Sequence, residues 1–293
     1  MISYICANKI SANPEYQQVN QILACGLKEF LSVSDQNAKL YLEHSHPEAL
    51  HQYRVALRQA RSLLKASRKV LEPSLATDLN LVLKKLLEPT GELRDTEVFL
   101  QQLNQYSFEL NGYLSLGKQL MTEDMKWEMV KLRNNIRSWF VSGDYLQQSD
   151  LAFRLIDRIE EIPVQEPPKL LIDKFINRQK KWLDNRLDKL SELPIEELHR
   201  FRIKVKVLRY TSSFYQPGQD KTRVKKVKKV QDHLGLIHDY SVQKTLILRY
   251  IEQKQANDKN LKYIALFAGY LLRYLTERHD YHLEQVREHM AGI

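Results

Sequence analysis

Two stretches of the chain carry a cationic side chain at every third or fourth position. One runs from His51 to Arg61 and the other from His199 to Arg209. Arg presents a planar fork of donors that matches phosphate oxygens, and Lys presents a compact ammonium group. A straight row of such groups suits several successive phosphates of a polymeric anion better than one small anion. The two rows consist of His51, Arg54, Arg58 and Arg61, and of His199, Arg202, Lys206 and Arg209.

Helical periodicity places each row on one face. In a helix, the four residues of the first row fall within an arc of about 80°, and Lys65 falls on the same arc. In the second copy, Phe201, Val205 and Leu208 are expected to face inward. The apolar residues expected opposite the first row are Leu57, Ala60, Leu63, Leu64 and Leu71.

The charges of the first row have no local counter-charge. No acidic residue occurs between His51 and Lys69, so the row has no oppositely charged partner at i+4. Like charges at this spacing repel, and the pattern nevertheless recurs in the other half of the chain. We therefore interpret the rows as anion-binding faces rather than ordinary solvated faces. Protonation of His51 and His199 near about pH 6.5 would add two cations, although helix capping or packing is the structural alternative for each.

A second block also occurs twice, in the same order relative to the rows. Leu83-Lys-Lys-Leu86 leads to Gly91-Glu-Leu-Arg94-Asp95, and Val227-Lys-Lys-Val230 leads to Gly235-Leu-Ile-His238-Asp239. The duplication predicts that Lys85 corresponds to Lys229 and Arg94 to His238, with Lys225 and Lys226 as further cations. We expect Gly91 and Gly235 to end helices and Asp95 and Asp239 to cap the next ones.

The repeat predicts the domain organisation. The proline-rich stretch 162–168 separates a first half, 1–162, from a second half, 163–293. No segment shows strand alternation, so we predict an all-α protein of two helical bundles about a pseudo-twofold axis. The expected helices are roughly 16–42, 47–71, 74–89, 95–108 and more helix within 117–160, then 169–190, 195–214, 220–233, 239–254 and 259–289.

Composition narrows the class of partner. The net charge of the 293 residues is +9, which attracts polyanions without choosing among them. Cys6 and Cys25 form no disulfide framework and no zinc-ligand spacing. We find no signal peptide, and the longest apolar run, 263–272, is too short to span a bilayer. We therefore expect a soluble cytoplasmic protein without a membrane partner, cofactor or metal.

The motifs at 51–61 and 91–95, with their second copies, resemble the CHAD family, the conserved histidine α-helical domain. The resemblance covers essentially the whole chain. It implies two four-helix bundles with a basic central channel that binds inorganic polyphosphate, and an association with polyphosphate granules. Two positions depart from the family pattern, His238 and Lys206, so the two halves are not expected to bind equally. The Glu-x-Glu-x-Lys motif of the CYTH triphosphatase domain found in some relatives is not present. The ligands implied by position are His51, Arg54, Arg58, Arg61, Lys85, Arg94, His199, Arg202, Lys206, Arg209, Lys229 and His238.

Two other functions remain alternatives. An enzyme acting on polyphosphate needs a nucleophile or clustered carboxylates for a metal, and the rows contain neither, so we predict no catalytic residue. His44 and His46 flank Ser45 next to Pro47, where a loop is expected. Sequence-independent binding of RNA or single-stranded DNA uses the same phosphate contacts, but usually adds aromatic stacking. The oligomeric state is not predicted.

Overall fold

The computed structural model describes residues 19–68, 71–106, 110, 112–161, 168–187, 194–215, 221–255 and 258–291. This part of the chain is α-helical with one 3₁₀ turn, Glu88–Thr90, and contains no strand. The all-α prediction is confirmed. The helices are α1 Val19–His44, α2 Pro47–Ser67, α3 Pro73–Leu87, α4 Gly91–Gln105, α5 Gly112–Phe140, α6 Gly143–Glu161, α7 Pro168–Leu187, α8 Ile195–Tyr215, α9 Lys221–Glu252 and α10 Leu261–Ala291.

The chain divides into two compact units, each assembled from several segments. The first comprises Met1–Gly91, Asn135–Asn185 and Ile203–Lys221, and the second comprises Glu92–Asn134, Arg186–Arg202 and Thr222–Ile293. The predicted division into 1–162 and 163–293 stays a prediction, and its boundary at 162–167 lies outside the described residues.

The first unit contains a closed circuit of helices. α1 packs on α2 and α6, and α3 packs on the same two helices. The ring of Phe140 lies edge-on to Tyr41, Tyr53 and Tyr145, with centroids 5.9, 5.0 and 5.3 Å away. Such edge-to-face contacts fill the core with large rings in a favourable arrangement of their quadrupoles. The apolar residues predicted to lie opposite the first cationic row are all buried.

A tight turn joins α1 to α2 and sets the start of the cationic helix. Ser45 has a φ of 49°, a left-handed conformation that is uncommon for a residue with a side chain. His46 follows as the N-cap, where its Nδ1 accepts a hydrogen bond from the Glu48 N–H at 3.2 Å. Pro47 opens the helix at a position that needs no amide donor. The expected loop at His44–His46 is therefore confined to Ser45 and His46.

The second unit has its own core between α4, α5, α9 and α10. Its buried members include Phe99, Met121, Tyr240 and Phe267. Gly117 of α5 lies directly against the backbone of α10 at Tyr263. The absence of a side chain at Gly117 permits this close approach of two helices.

The structure corrects the prediction of helix stops at Gly91 and Gly235. Gly91 has a φ of −64° and opens α4, so Asp95 lies inside that helix rather than at its cap. Gly235 and Asp239 lie inside α9, which replaces two predicted helices. The apolar stripe of Leu234, Ile237 and Tyr240 is buried across the glycine. Burial of this stripe outweighs the cost of about 1 kcal/mol for a glycine in a helix.

One of the two cysteines lies among the described residues. Cys25, on α1, is disulfide-bonded, whereas the sequence indicated two cysteines without a disulfide framework. Cys6 lies outside the described residues.

Gly235→Ala tests the continuous helix. A Cβ added at Gly235 meets no atom within 4 Å. The substitution should therefore raise the free energy of unfolding by about 0.5–1 kcal/mol, because alanine favours the helix. Chemical denaturation measures the change, and Gly269→Ala in α10, which also meets nothing within 4 Å, is the matched control. A loss of stability at position 235 alone would indicate a left-handed glycine and contradict the continuous helix.

Gly117→Ala tests the close approach of α5 and α10. The added Cβ would lie 2.8 Å from the Cβ of Phe267 and would overlap the carbonyl oxygen of Tyr263. The backbones must separate to accommodate it, so we expect a loss of about 1–3 kcal/mol in unfolding free energy. The same denaturation experiment should show the opposite sign from Gly235→Ala, and an unchanged midpoint would argue against the close packing.

Candidate cation groove of the first unit

Three hydrogen bonds fix α2 against α3. The Tyr53 hydroxyl donates to the Leu86 carbonyl at 2.8 Å, and Arg54 Nη1 donates to the Leu87 carbonyl at 3.3 Å. One turn beyond Arg58, Arg61 Nε donates to Asn80 Oδ1 at 3.1 Å. Since later residues of α2 meet earlier residues of α3, the two helices run antiparallel in a single register.

Arg54 is the innermost member of the predicted first row. Its residue exposure is only 6%, and Nη1 also donates to Thr90 Oγ1 at 2.7 Å. Thr90 in turn donates to the Leu87 carbonyl at 2.7 Å. The guanidinium therefore satisfies the carbonyl end of α3, where a cation is favoured by the helix dipole. This buried position gives Arg54 a structural task in addition to its predicted role as a ligand.

The remaining members of the row form a gradient of exposure. Arg58 and Lys65 are exposed, whereas His51 and Arg61 are half-buried. In the described part of the chain, neither Arg58, Arg61 nor Lys65 forms an ion pair with a carboxylate. Burial lowers the pKa of Arg61, and the positive charge of Arg58 lowers it further. Arg58, Arg61 and Lys65 thus carry positive charge that no carboxylate among the described residues neutralises.

The contacts of α3 identify Lys84 as a cation that the sequence analysis missed. From Asn80, which touches Arg61, Lys84 lies about 40° around the helix and Lys85 about 140°. Both lysines are exposed. Lys84 therefore lies nearer than the predicted Lys85 to the flank of α3 that carries Asn80. The apolar positions Leu79, Leu83 and Leu86 mark the inner face and place the two lysines on opposite flanks, so the Asn80–Arg61 hydrogen bond, rather than the apolar stripe, favours Lys84.

These residues together define a surface that we call the cation groove. Arg58 and Lys65 lie along its α2 side, Lys84 lies on its α3 side, and Arg61 with Asn80 lies between the helices. From Arg58 to Lys65 the helix rises about 10 Å. The groove therefore offers several cations in line rather than one cluster around a point.

The structure describes the surroundings of only some of the other predicted ligands. Arg202 and Lys206 of α8 and His238 of α9 are half-buried. Arg94 of α4 forms an ion pair with Glu97 of the same helix, with 3.6 Å between Nη1 and Oε2. For the remaining five the helix backbone is described but the side chains lie outside the described residues: His199, Arg209, Lys225, Lys226 and Lys229.

Within the described residues, no group of three or more His, Cys, Asp or Glu side chains is arranged to hold a metal ion. No described helix is long and apolar enough to cross a membrane.

Comparison with known proteins identifies the fold. The model of the CHAD domain family matches residues 25–248. The chain is similar to the crystal structure of the CHAD domain from the plant Ricinus communis, with a TM-score of 0.76 and 20% identity over 94% of this chain and 92% of that one. It is also similar to PptA from Streptomyces chartreusis, with a TM-score of 0.63 and 13% identity over 92% of this chain and 98% of that one. No curated protein matches the sequence.

Arg54→Ala and Arg58→Ala should separate the structural arginine from the solvent-facing one. Loss of the buried Arg54 leaves the end of α3 without its donor, so we expect about 2–4 kcal/mol lower unfolding free energy. Arg58 is exposed without a carboxylate partner, and its loss should change stability by less than about 0.5 kcal/mol. Thermal and chemical denaturation of both variants measure the difference. Equal stability of the two variants would contradict the structural role of Arg54.

Proposed function

The chain belongs to the CHAD domain family, and on that basis we propose that it binds inorganic polyphosphate without transforming it. The observation that carries the proposal is the cation groove, where Arg58, Arg61 and Lys65 lie in line without a carboxylate partner among the described residues. A linear polyanion offsets the repulsion between successive cations by placing a phosphate near each of them.

The groove differs from those parts of the surface where charges are paired. Two exposed arginines elsewhere pair with carboxylates, Arg154 with Asp150 at 3.0 Å and Arg273 with Glu277 at 2.9 Å. Such pairs lower the local potential, whereas the cation groove keeps its charge. Uncompensated positive charge raises the local concentration of polyanions and speeds their association.

The larger arrangement remains part of the proposal. The two four-helix bundles, the pseudo-twofold axis and the central basic channel are implied by the family resemblance. The same holds for the ligands of the second row, for cytoplasmic localisation and for association with polyphosphate granules. Arg58, Arg61, Lys65 and Lys84 are the proposed ligands within the first unit, supported by the Arg61–Asn80 hydrogen bond and by the positions of the other three on their helices.

Nucleic acid is the principal rival ligand, since it carries the same phosphate chemistry. Stacking platforms favour single-stranded nucleic acid, yet the aromatic residue of the first row, Tyr53, is buried and bonded to Leu86. A ligand without bases needs no such platform. The groove therefore fits a bare phosphate polymer better than a strand with bases.

A competition experiment tests the proposal directly. The full chain should bind long-chain polyphosphate more tightly than single-stranded RNA or duplex DNA of equal charge, at near-physiological salt. The affinity should fall as salt rises, because each phosphate contact releases counterions. Equal or tighter binding of nucleic acid would reject polyphosphate as the preferred ligand. Release of phosphate on incubation with magnesium would reject the non-enzymatic role.

A charge-matched pair of variants locates the binding surface. Arg58→Ala/Lys65→Ala should weaken polyphosphate binding at least tenfold, taking roughly 1 kcal/mol for each phosphate contact removed. Arg154→Ala/Arg273→Ala removes the same net charge from paired surface sites and should weaken binding by less than about twofold. Similar losses in both double variants would show that net charge alone, rather than the groove, attracts the polymer.

A further inference from the structure

A buried carboxylate in the second unit holds two arginines, one of which the family motifs do not mark. Glu97 of α4 lies between Arg94 of the same helix and Arg133 of α5. The ion-pair distances are 3.6 Å from Arg94 Nη1 to Oε2 and 3.5 Å from Arg133 Nη2 to Oε1. The side chain of Glu97 is 6% exposed, while those of Arg94 and Arg133 are 22% and 32% exposed.

Some polar atoms of this cluster form no hydrogen bond with the described residues. Both Glu97 oxygens and Arg133 Nε are buried and have no hydrogen-bond partner among the described residues. Separations of 3.5 Å and more are long for a charged hydrogen bond, which normally measures about 2.7–2.9 Å. Burial raises the pKa of Glu97, while the charges of Arg133 and Arg94 oppose that shift. The carboxylate therefore lies within 3.6 Å of both guanidinium groups, and the buried Nε of Arg133 has no hydrogen-bond partner among the described residues.

The charge of the cluster points to an anion. Two arginines and one carboxylate leave one net positive charge, and the two cations remain partly open to solvent while the anion does not. A guanidinium has five donors in a fixed fork, so two neighbouring guanidinium groups match the several oxygens of one phosphoryl group. The buried Arg54 shows a contrasting arrangement, with hydrogen bonds of 2.7 Å to Thr90 Oγ1 and 3.3 Å to the Leu87 carbonyl.

We propose that Arg94 and Arg133 together bind one phosphoryl group of a polyphosphate chain, and that Glu97 is the positioning residue that holds them side by side. This inference rests on the proposed function for the identity of the ligand. It adds Arg133 as a ligand and gives Glu97 a task in binding. It also predicts an anion site within the second unit, in addition to the cation groove of the first unit.

Calorimetric titration of the full chain with polyphosphate tests Arg133. Arg133→Gln should weaken binding about tenfold, since a charged bidentate contact is lost. Arg133→Lys keeps the charge and the ion pair but not the fork, and should recover only part of the affinity. Arg273→Gln, which breaks a surface pair with Glu277 in the same unit, is the matched control and should change affinity by less than about twofold. Melting curves show that each variant is folded before it is titrated.

A double-mutant cycle tests the joint site. Arg94→Gln and Arg133→Gln should be non-additive, because either change alone destroys the two-arginine contact. Glu97→Gln should abolish this coupling and leave the loss caused by Arg58→Ala unchanged, which a general structural defect would not do. If wild-type protein binds polyphosphate, two results would overturn the inference. One is a loss of affinity in Arg133→Gln no larger than that in Arg273→Gln. The other is strictly additive losses of affinity in Arg94→Gln and Arg133→Gln. Absence of wild-type binding would instead overturn the proposed function.

Discussion

The hydrogen bonds of Arg54 set the register between α2 and α3, and the outward cations depend on that register. With Arg54 Nη1 bonded to Thr90 Oγ1 and to the Leu87 carbonyl, the end of α3 is fixed against the first turns of α2. Arg61 then meets Asn80 two turns further along. Because the helices are antiparallel, Lys84 lies between these two contacts. A shift by one residue would rotate Lys84 away from α2 by about 100°.

Keeping the groove unneutralised has an energetic consequence for the folded protein. Like charges at neighbouring helical positions repel, and the positive charge of Arg58 contributes to the lowered pKa of Arg61. The apolar face of α2 compensates for this repulsion, since Leu57, Ala60 and Leu64 are all buried. A bound polyanion removes the repulsion, so binding and folding stability are linked in the proposed function. In that proposal, a bound polyanion stabilises the groove.

The sequence predicted those features that repeat along one helix. The wheel of residues 51–65 identified the buried stripe and the cationic face, because both depend only on helical periodicity. It could not reveal that Arg54 turns inward, since that depends on the end of another helix. Lys85 was predicted by matching motifs, and the hydrogen bond of Asn80 to Arg61 adds Lys84, one turn further along α3, as a second candidate. The prediction that Gly235 ends a helix was wrong, because the burial of Leu234 and Ile237 on both sides of the glycine favours a continuous helix.

The arginines of the two candidate sites have different acceptors, and this difference bears on the proposed binding. In the first unit, neutral groups orient the guanidinium ions: the Thr90 hydroxyl, a backbone carbonyl and the Asn80 amide. A neutral acceptor fixes the side chain and leaves its full charge available to a polyanion. In the second unit, the negative charge of Glu97 holds Arg94 and Arg133 in place. The same charge neutralises one of the two positive charges of these arginines. A carboxylate serves where two like charges must lie side by side, because no neutral group offsets their mutual repulsion. The neutral anchors therefore suit a row of spaced cations, and the charged anchor suits a pair in contact with one phosphoryl group.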